Sequence, residues 1–246
     1  KKTKTMISFF KRMQKKMANN NTKPIKYIRY AVGEIVLVMI GILLALQVNN
    51  LNENRKNKLK EIKLLKELRT DLIQNVNDIK ENLSFLAISK TANEVILSHF
   101  ENKLAYNDSL DYHFGNLYPY ITFNPNRTTY ESLKQIGLDI ISNDSLRISL
   151  SDLYANRFVS YKKFEDIYML EHHENYMKPM IISELKNFIV YTSAKPKNYT
   201  QFIKKEQNKD VMYYMVDLCS SFIFMQSALK ESSEQLIIEI DKEIKK

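Results

Sequence analysis

Polar and basic residues open the chain, and an apolar run of eighteen follows. Ala31 to Val48 reads AVGEIVLVMIGILLALQV, and sixteen of these residues are apolar or glycine, Glu34 and Gln47 being the exceptions. At 1.5 Å per residue a helix of that length spans roughly 27 Å, close to a bilayer core of about 30 Å. Tyr27 and Tyr30 precede the run at the depth of an aromatic belt, and Asn49, Asn50, Asn52 and Asn54 follow it. A core helix rarely stays apolar on every face for five turns. A signal peptide has a shorter apolar region and a small-residue cleavage site, and none is clear after Leu46. The pattern predicts a retained transmembrane helix over residues 30–50.

Helical spacing continues on both sides. Ahead of the span, Ile7, Phe9, Phe10, Met13 and Met17 recur at helical intervals with Lys11, Arg12, Lys15 and Lys16 between them. This predicts an interfacial helix with Phe9 and Phe10 in the head-group layer and the basic side chains on lipid phosphates. Beyond the span, no Gly or Pro occurs between Gly41 and Gly115, so the transmembrane helix is expected to continue into a long polar one. From Ile62 a heptad is legible: Ile62, Arg69, Val76 and Leu83 at one position, Leu65, Leu72, Ile79 and Leu86 at the other. Such spacing suits either a coiled-coil seam between chains or the core stripe of a bundle within one chain.

Later elements are marked by punctuation. Residues 105–128 are rich in Asn, Asp, Gly and Pro and read as a loop, carrying the aromatic cluster Tyr112, Phe114, Tyr118, Tyr120 and Phe123. Residues 129–136 read as a short helix closed by Gly137. Ser142, Asn143 or Asp144 then offers an N-cap for a helix to about residue 174. A further helix is expected over about 176–188, a turn at Lys195-Pro196-Lys197-Asn198, and a final helix over 201–246. The apolar side of that helix holds Met212, Met215, Val216, Cys219, Phe222, Ile223, Met225 and Leu229, and it should return antiparallel to the first long helix. The fold class expected is all-α: an interfacial helix (1–29), one transmembrane helix (30–50) and an extramembrane helical bundle (51–246).

Charge sharpens this division. The net charge of +9 arises in residues 1–29, which hold ten Lys or Arg and no acid, whereas the other 217 residues hold 27 basic and 28 acidic side chains. The excess lies beside the apolar run, where anionic lipids account for it and a nucleic-acid partner is not needed. Seven basic residues within twenty before the span against six within twenty after it separate the two sides weakly. The acid-free N-terminal flank places that end in the cytoplasm and the main domain outside. Cys219 is the single cysteine, which excludes an intrachain disulfide and a multi-cysteine zinc site.

Within the span Glu34 stands out, because a carboxylate at a bilayer centre costs about 2.5–3.5 kcal/mol on insertion scales. Leu37, Gly41 and Ala45 lie three, seven and eleven positions on, along the same helical face, and Gly33 adjoins it. Gly41 and Ala45 form a small-xxx-small pair that permits close helix approach. Gly33, Glu34, Leu37, Gly41 and Ala45 are thus a candidate helix–helix interface, and in its sharpest form a ring of Glu34 side chains would line an ion path.

The stretch Tyr30-Ala31-Val32-Gly33-Glu34-Ile35, running through Ile40-Gly41-Ile42-Leu43-Leu44-Ala45-Leu46-Gln47 to Asn49-Asn50, resembles an uncharacterised bacterial family of single-span membrane proteins with a YAxGEIxLVxIGILxALQxNNWNE signature. The block Thr129-Tyr130-Glu131-Ser132-Leu133-Lys134, with Ile141-Ser142-Asn143-Asp144-Ser145-Leu146-Arg147, is similar to a second recurrent block of that family. Met6-Ile7-Ser8-Phe9-Phe10 is similar to the usual family start, pointing to Met6 as the initiator and residues 1–5 as an upstream addition or alternative start. Leu51 departs from the family's Trp and weakens the outer-interface anchor. The resemblance implies a membrane location and a helical outer domain, and it implies no reaction.

Catalytic patterns are few. In Glu171-His172-His173-Glu174 the adjacent histidines point about 100° apart on a helix and cannot chelate as an i, i+4 pair would. His99 and His113 stand alone, and no phosphate loop or nucleophile elbow is present. The sequence therefore predicts no enzyme, metal or cofactor. It predicts a structural or interaction subunit of the envelope, self-associating or part of a larger membrane complex. A channel built on Glu34 is one alternative, and a sensor or enzyme using residues 112–123 as a ligand cleft is another.

Overall fold

The computed structural model describes residues 24–246. The expected membrane-surface residues Phe9, Phe10, Lys11, Arg12, Lys15 and Lys16 lie outside the described residues. Among the described residues the fold is all-α apart from one two-stranded hairpin. Helix α1 (Pro24–Asn102) is 79 residues long. Nothing in its sequence breaks it: Pro24 stands at its start, and its two glycines cost only about 1 kcal/mol each.

The chain divides between Lys58 and Leu59. Before the division, α1 contains an eighteen-residue apolar window of mean hydropathy 2.4, none of it buried. After it, one face of α1 is core. Leu65, Leu72, Val76, Ile79 and Leu86 are buried, and Leu83 packs against them. Ile62 is half-buried. Of the two expectations for this heptad, the structure has the stripe covered by the chain's own elements, so it is no open coiled-coil seam.

Residues 105–128, expected as loop, contain a short helix, α2 (Leu110–Gly115). Helix α3 (Thr128–Ile136) ends on Gly137, whose φ of 107° a residue with a Cβ rarely adopts. Asn143 caps the next helix, its side chain accepting from the Leu146 N–H at 3.1 Å. That helix, α4, covers residues 144–184, past the expected break near 174. It mixes α-helical turns with π-helical segments Asp152–Arg157, Glu165–Leu170 and His173–Met177.

The chain then turns into β1 (Leu185–Ile189) and β2 (Ser193–Pro196), antiparallel with an irregularity between Lys186 and Ile189. A helix to 188 and a turn at 195–198 were expected here. The strands are short, and α2 packs across them: Gly115 lies so close that an added Cβ would sit 2.4 Å from the Ser193 nitrogen. A single turn, α5 (Tyr199–Phe202), precedes the last helix, α6 (Glu206–Ile244).

Helix α6 returns antiparallel to α1. Arg69 pairs with Asp241 at 2.6 Å, Lys80 with Glu234 at 3.6 Å, and Tyr213 donates to Glu101. Met212, Met215, Cys219, Phe222 and Leu229 of α6 meet the α1 stripe and the α4 residues Leu150, Tyr154, Phe158 and Tyr161 in one core. Polar side chains of α1, all buried except the half-buried Asp71, anchor the connections. Glu61 accepts the Ser142 N–H at 2.8 Å, Asp71 the Thr129 N–H at 3.0 Å, and Asn75 the Asn126 N–H at 2.6 Å. Ser89 and Asn93 both donate to the Leu117 carbonyl.

Candidate functional site

A cleft of about 470 Å³ opens between α4 and the start of α6. From α4 it is lined by Tyr168, Glu171, His172 and Tyr176, and from α6 by Gln207, Asp210, Val211 and Tyr214. The α6 set follows i, i+3, i+4, i+7 spacing, one face of an ordinary helix. The α4 set follows i, i+3, i+4, i+8 spacing, likewise one face of a helix, here between two π-helical segments. Tyr168, His172 and Tyr176 are four apart.

His172 is the floor of the cleft. It is 3% exposed, and its Nε2 lies 3.1 Å from the Val211 carbonyl oxygen. A carbonyl can only accept, so Nε2 carries the hydrogen and Nδ1 is left as an acceptor. Nδ1 has no partner among the described residues. Burial lowers the imidazole to about 4, against the Val211 hydrogen bond, which acts the other way. The ring is therefore neutral at pH 7. Tyr176 stacks on it at 5.7 Å between centroids, and Tyr214 meets it at 66° and 4.8 Å. The three tyrosine rings remain open to solvent. Glu171 and Asp210 have no basic partner within 4 Å among the described residues, and no Lys or Arg lines the cleft.

His173 faces away from this cleft. Its ring stacks on Tyr118 at 3.9 Å, and burial holds it below the ordinary histidine range. The adjacent histidines thus enter different environments, as helix geometry requires. Among the described residues no group of three or more His, Cys, Asp or Glu is placed to hold a metal ion.

The sequence-derived sites fall elsewhere. Gly33, Glu34, Leu37, Gly41 and Ala45 all lie in the uncovered part of α1, and an added Cβ at Gly33 or Gly41 meets nothing within 4 Å. In the 112–123 cluster Phe114, Tyr118 and Phe123 are buried, leaving Tyr112 and Tyr120 exposed. That cluster packs on the bundle and is held there by Ser89, Asn93 and Glu165. The cleft between α4 and α6 was not anticipated. Its signal was present as tyrosines at 168 and 176 with His172 midway, and as Asp210 four before Tyr214.

These features define a helical protein with, among the described residues, one helix long and apolar enough to cross a membrane, near the N-terminus. The chain belongs to a family of unknown function (DUF6090), whose profile matches residues 34–193. The matched region begins at Glu34, covers the α4 side of the cleft and ends before α6. No curated protein and no solved structure matches the chain.

Proposed function

We propose that this protein is a non-enzymatic, single-span subunit of a bacterial inner membrane, with its N-terminus in the cytoplasm and its helical domain in the periplasm. Its role is structural or mediates interaction, through self-association or membership of a larger membrane complex. The observation that carries this reading is the apolar window of α1, none of which is buried among the described residues. Lipid tails, and anionic head groups at the basic flank, supply most of the cover. A second helix supplies the rest: Gly33, Leu37, Gly41 and Ala45 lie four apart in one row, and open space at both glycines admits a close neighbour. The non-enzymatic part is supported by the burial of the obvious nucleophile and bases: Cys219, His172 and His173 are all buried side chains.

Cysteine crosslinking in native membranes tests this. Gly41→Cys and Ala45→Cys should each form a disulfide-linked dimer, or a reproducible adduct with one partner, on mild oxidation. Leu43→Cys, on the opposite face of the helix, should not. Monomer alone from all three variants would sink the interface. The uncovered Glu34 favours a second reading, a homo-oligomeric ion-conducting or tension-responsive pore. Planar-bilayer recordings of wild type and Glu34→Gln decide it. Absent conductance, or conductance indifferent to the change, removes the pore.

A further inference from the structure

We propose that the cleft between α4 and α6 is a binding site for a small organic cation carrying an alkylammonium group. Three observations converge on that chemistry. First, the walls are aromatic: Tyr168, Tyr176 and Tyr214 present solvent-accessible rings around one cavity. The negative faces of such rings attract an ammonium ion. Second, the charge in the cleft is acidic and unspent. Glu171 and Asp210 face it from the two helices, with no basic partner within 4 Å among the described residues. An anionic ligand finds no positive side chain there, and a purely apolar one would strip water from two carboxylates with nothing in return. Third, His172 brings no competing charge to the cleft. Its ring is buried and its Nε2 hydrogen is committed to the Val211 carbonyl. Rings and carboxylates suit a ligand that brings positive charge. A cavity of about 470 Å³ is within the size range of small-molecule sites.

Two sources could present this group, a free amine or the head group of a zwitterionic lipid. Isothermal titration of the full chain in a maltoside detergent, which contains no ammonium, separates them. Choline, its neutral isostere 3,3-dimethylbutan-1-ol, and glycerophosphocholine are the three probes. Choline should bind at least about tenfold more tightly than the isostere, since ring and carboxylate attraction both vanish with the charge. Tyr214→Leu and Asp210→Asn should each weaken choline by about tenfold, with circular dichroism confirming that both variants stay folded. Glycerophosphocholine equal to or tighter than choline assigns the site to a lipid head group, and weaker binding assigns it to a free cation. Equal binding of choline and isostere overturns the proposal, as do no heat from either up to tens of millimolar or wild-type affinity in both variants.

Discussion

The Glu165 carboxylate reaches from α4 to accept the backbone N–H of Phe123 at 3.1 Å, although Glu165 is only 4% exposed. The same oxygen accepts from the Tyr161 hydroxyl at 3.2 Å, and the second oxygen takes Lys162 at 2.8 Å. One buried side chain thus fixes the 119–126 connection to the helix beneath it. Glu165→Ala would leave a buried N–H and a buried hydroxyl without an acceptor, at about 2–4 kcal/mol. Glu165→Gln keeps an oxygen for both and should cost about 1 kcal/mol. Urea unfolding followed by circular dichroism measures each, and equal losses in the two variants would refute this account.

Gly115→Ala should destabilise by about 1–3 kcal/mol, because the new methyl collides with backbone and not with a side chain that can swing aside. The nearest atoms are the Ser193 nitrogen at 2.4 Å and its Cα at 2.6 Å. The hairpin must shift, and with it the Tyr191 N–H bond to the Gly115 carbonyl. Hydrogen exchange should show the amide of Tyr191 losing protection before those of α6.

Acid should weaken the fold in two stages. Burial holds His172 at about 4, below the ordinary value of about 6.5. Between those values the unfolded chain takes up a proton at this position and the folded chain does not. Stability is therefore full above about pH 6.5 and falls as pH drops toward 4, by up to about 3 kcal/mol. His113 and His173, also lowered by burial, add to the same slope. The second stage lies below about pH 4. There Asp241, held down by its hydrogen bond from Arg69, and Asp152, held down by Arg157, become protonated and lose their pairs. Urea midpoints at pH 7.5 and 5.5 should lie closer together in His172→Gln than in wild type, and equal separations in the two proteins would contradict this.

Cys219 should be inert while the domain is folded. It is fully buried, and burial pushes its thiol up to about 12. A maleimide at pH 8 is expected to label it only after denaturation, which mass spectrometry reads directly. Rapid labelling of the native protein would show that α6 opens readily from α1.

The Arg69–Asp241 pair makes two hydrogen bonds, at 2.6 and 3.2 Å, but both side chains are well exposed. A double-mutant cycle of Arg69→Ala and Asp241→Ala should return a small coupling at low salt and a smaller one at high salt. Its role is to set register between the two long helices more than to stabilise them.

The elements legible in the sequence were those whose signal is periodic or local. The stripe from Leu65 to Leu86, the apolar side of α6, Gly137 and Asn143 each declare themselves within one or two turns. Whether the stripe faced the same chain or another was not legible, since spacing is identical in both cases. The hairpin escaped because Lys195-Pro196-Lys197-Asn198 carries turn residues, while the requirement that pairs β2 with α2 sits eighty residues earlier, at Gly115. The cleft escaped for a different reason. On its α4 side, Tyr168, His172 and Tyr176 at four-residue spacing suit a buried stripe as well as a cleft wall. Its other side comes from a helix thirty residues further on.

Helix α6 closes the core from the far end of the sequence, with Asp241 against Arg69 and Glu243 against Asn143. While the chain is being made, Leu65, Leu72 and Ile79 therefore leave the ribosome more than a hundred residues before Phe222 and Leu229, the side chains that cover the same core. A nascent chain of this protein carries an exposed apolar stripe on α1 throughout that interval. The domain becomes a substrate for chaperones by its topology, and its maturation waits on the synthesis of α6.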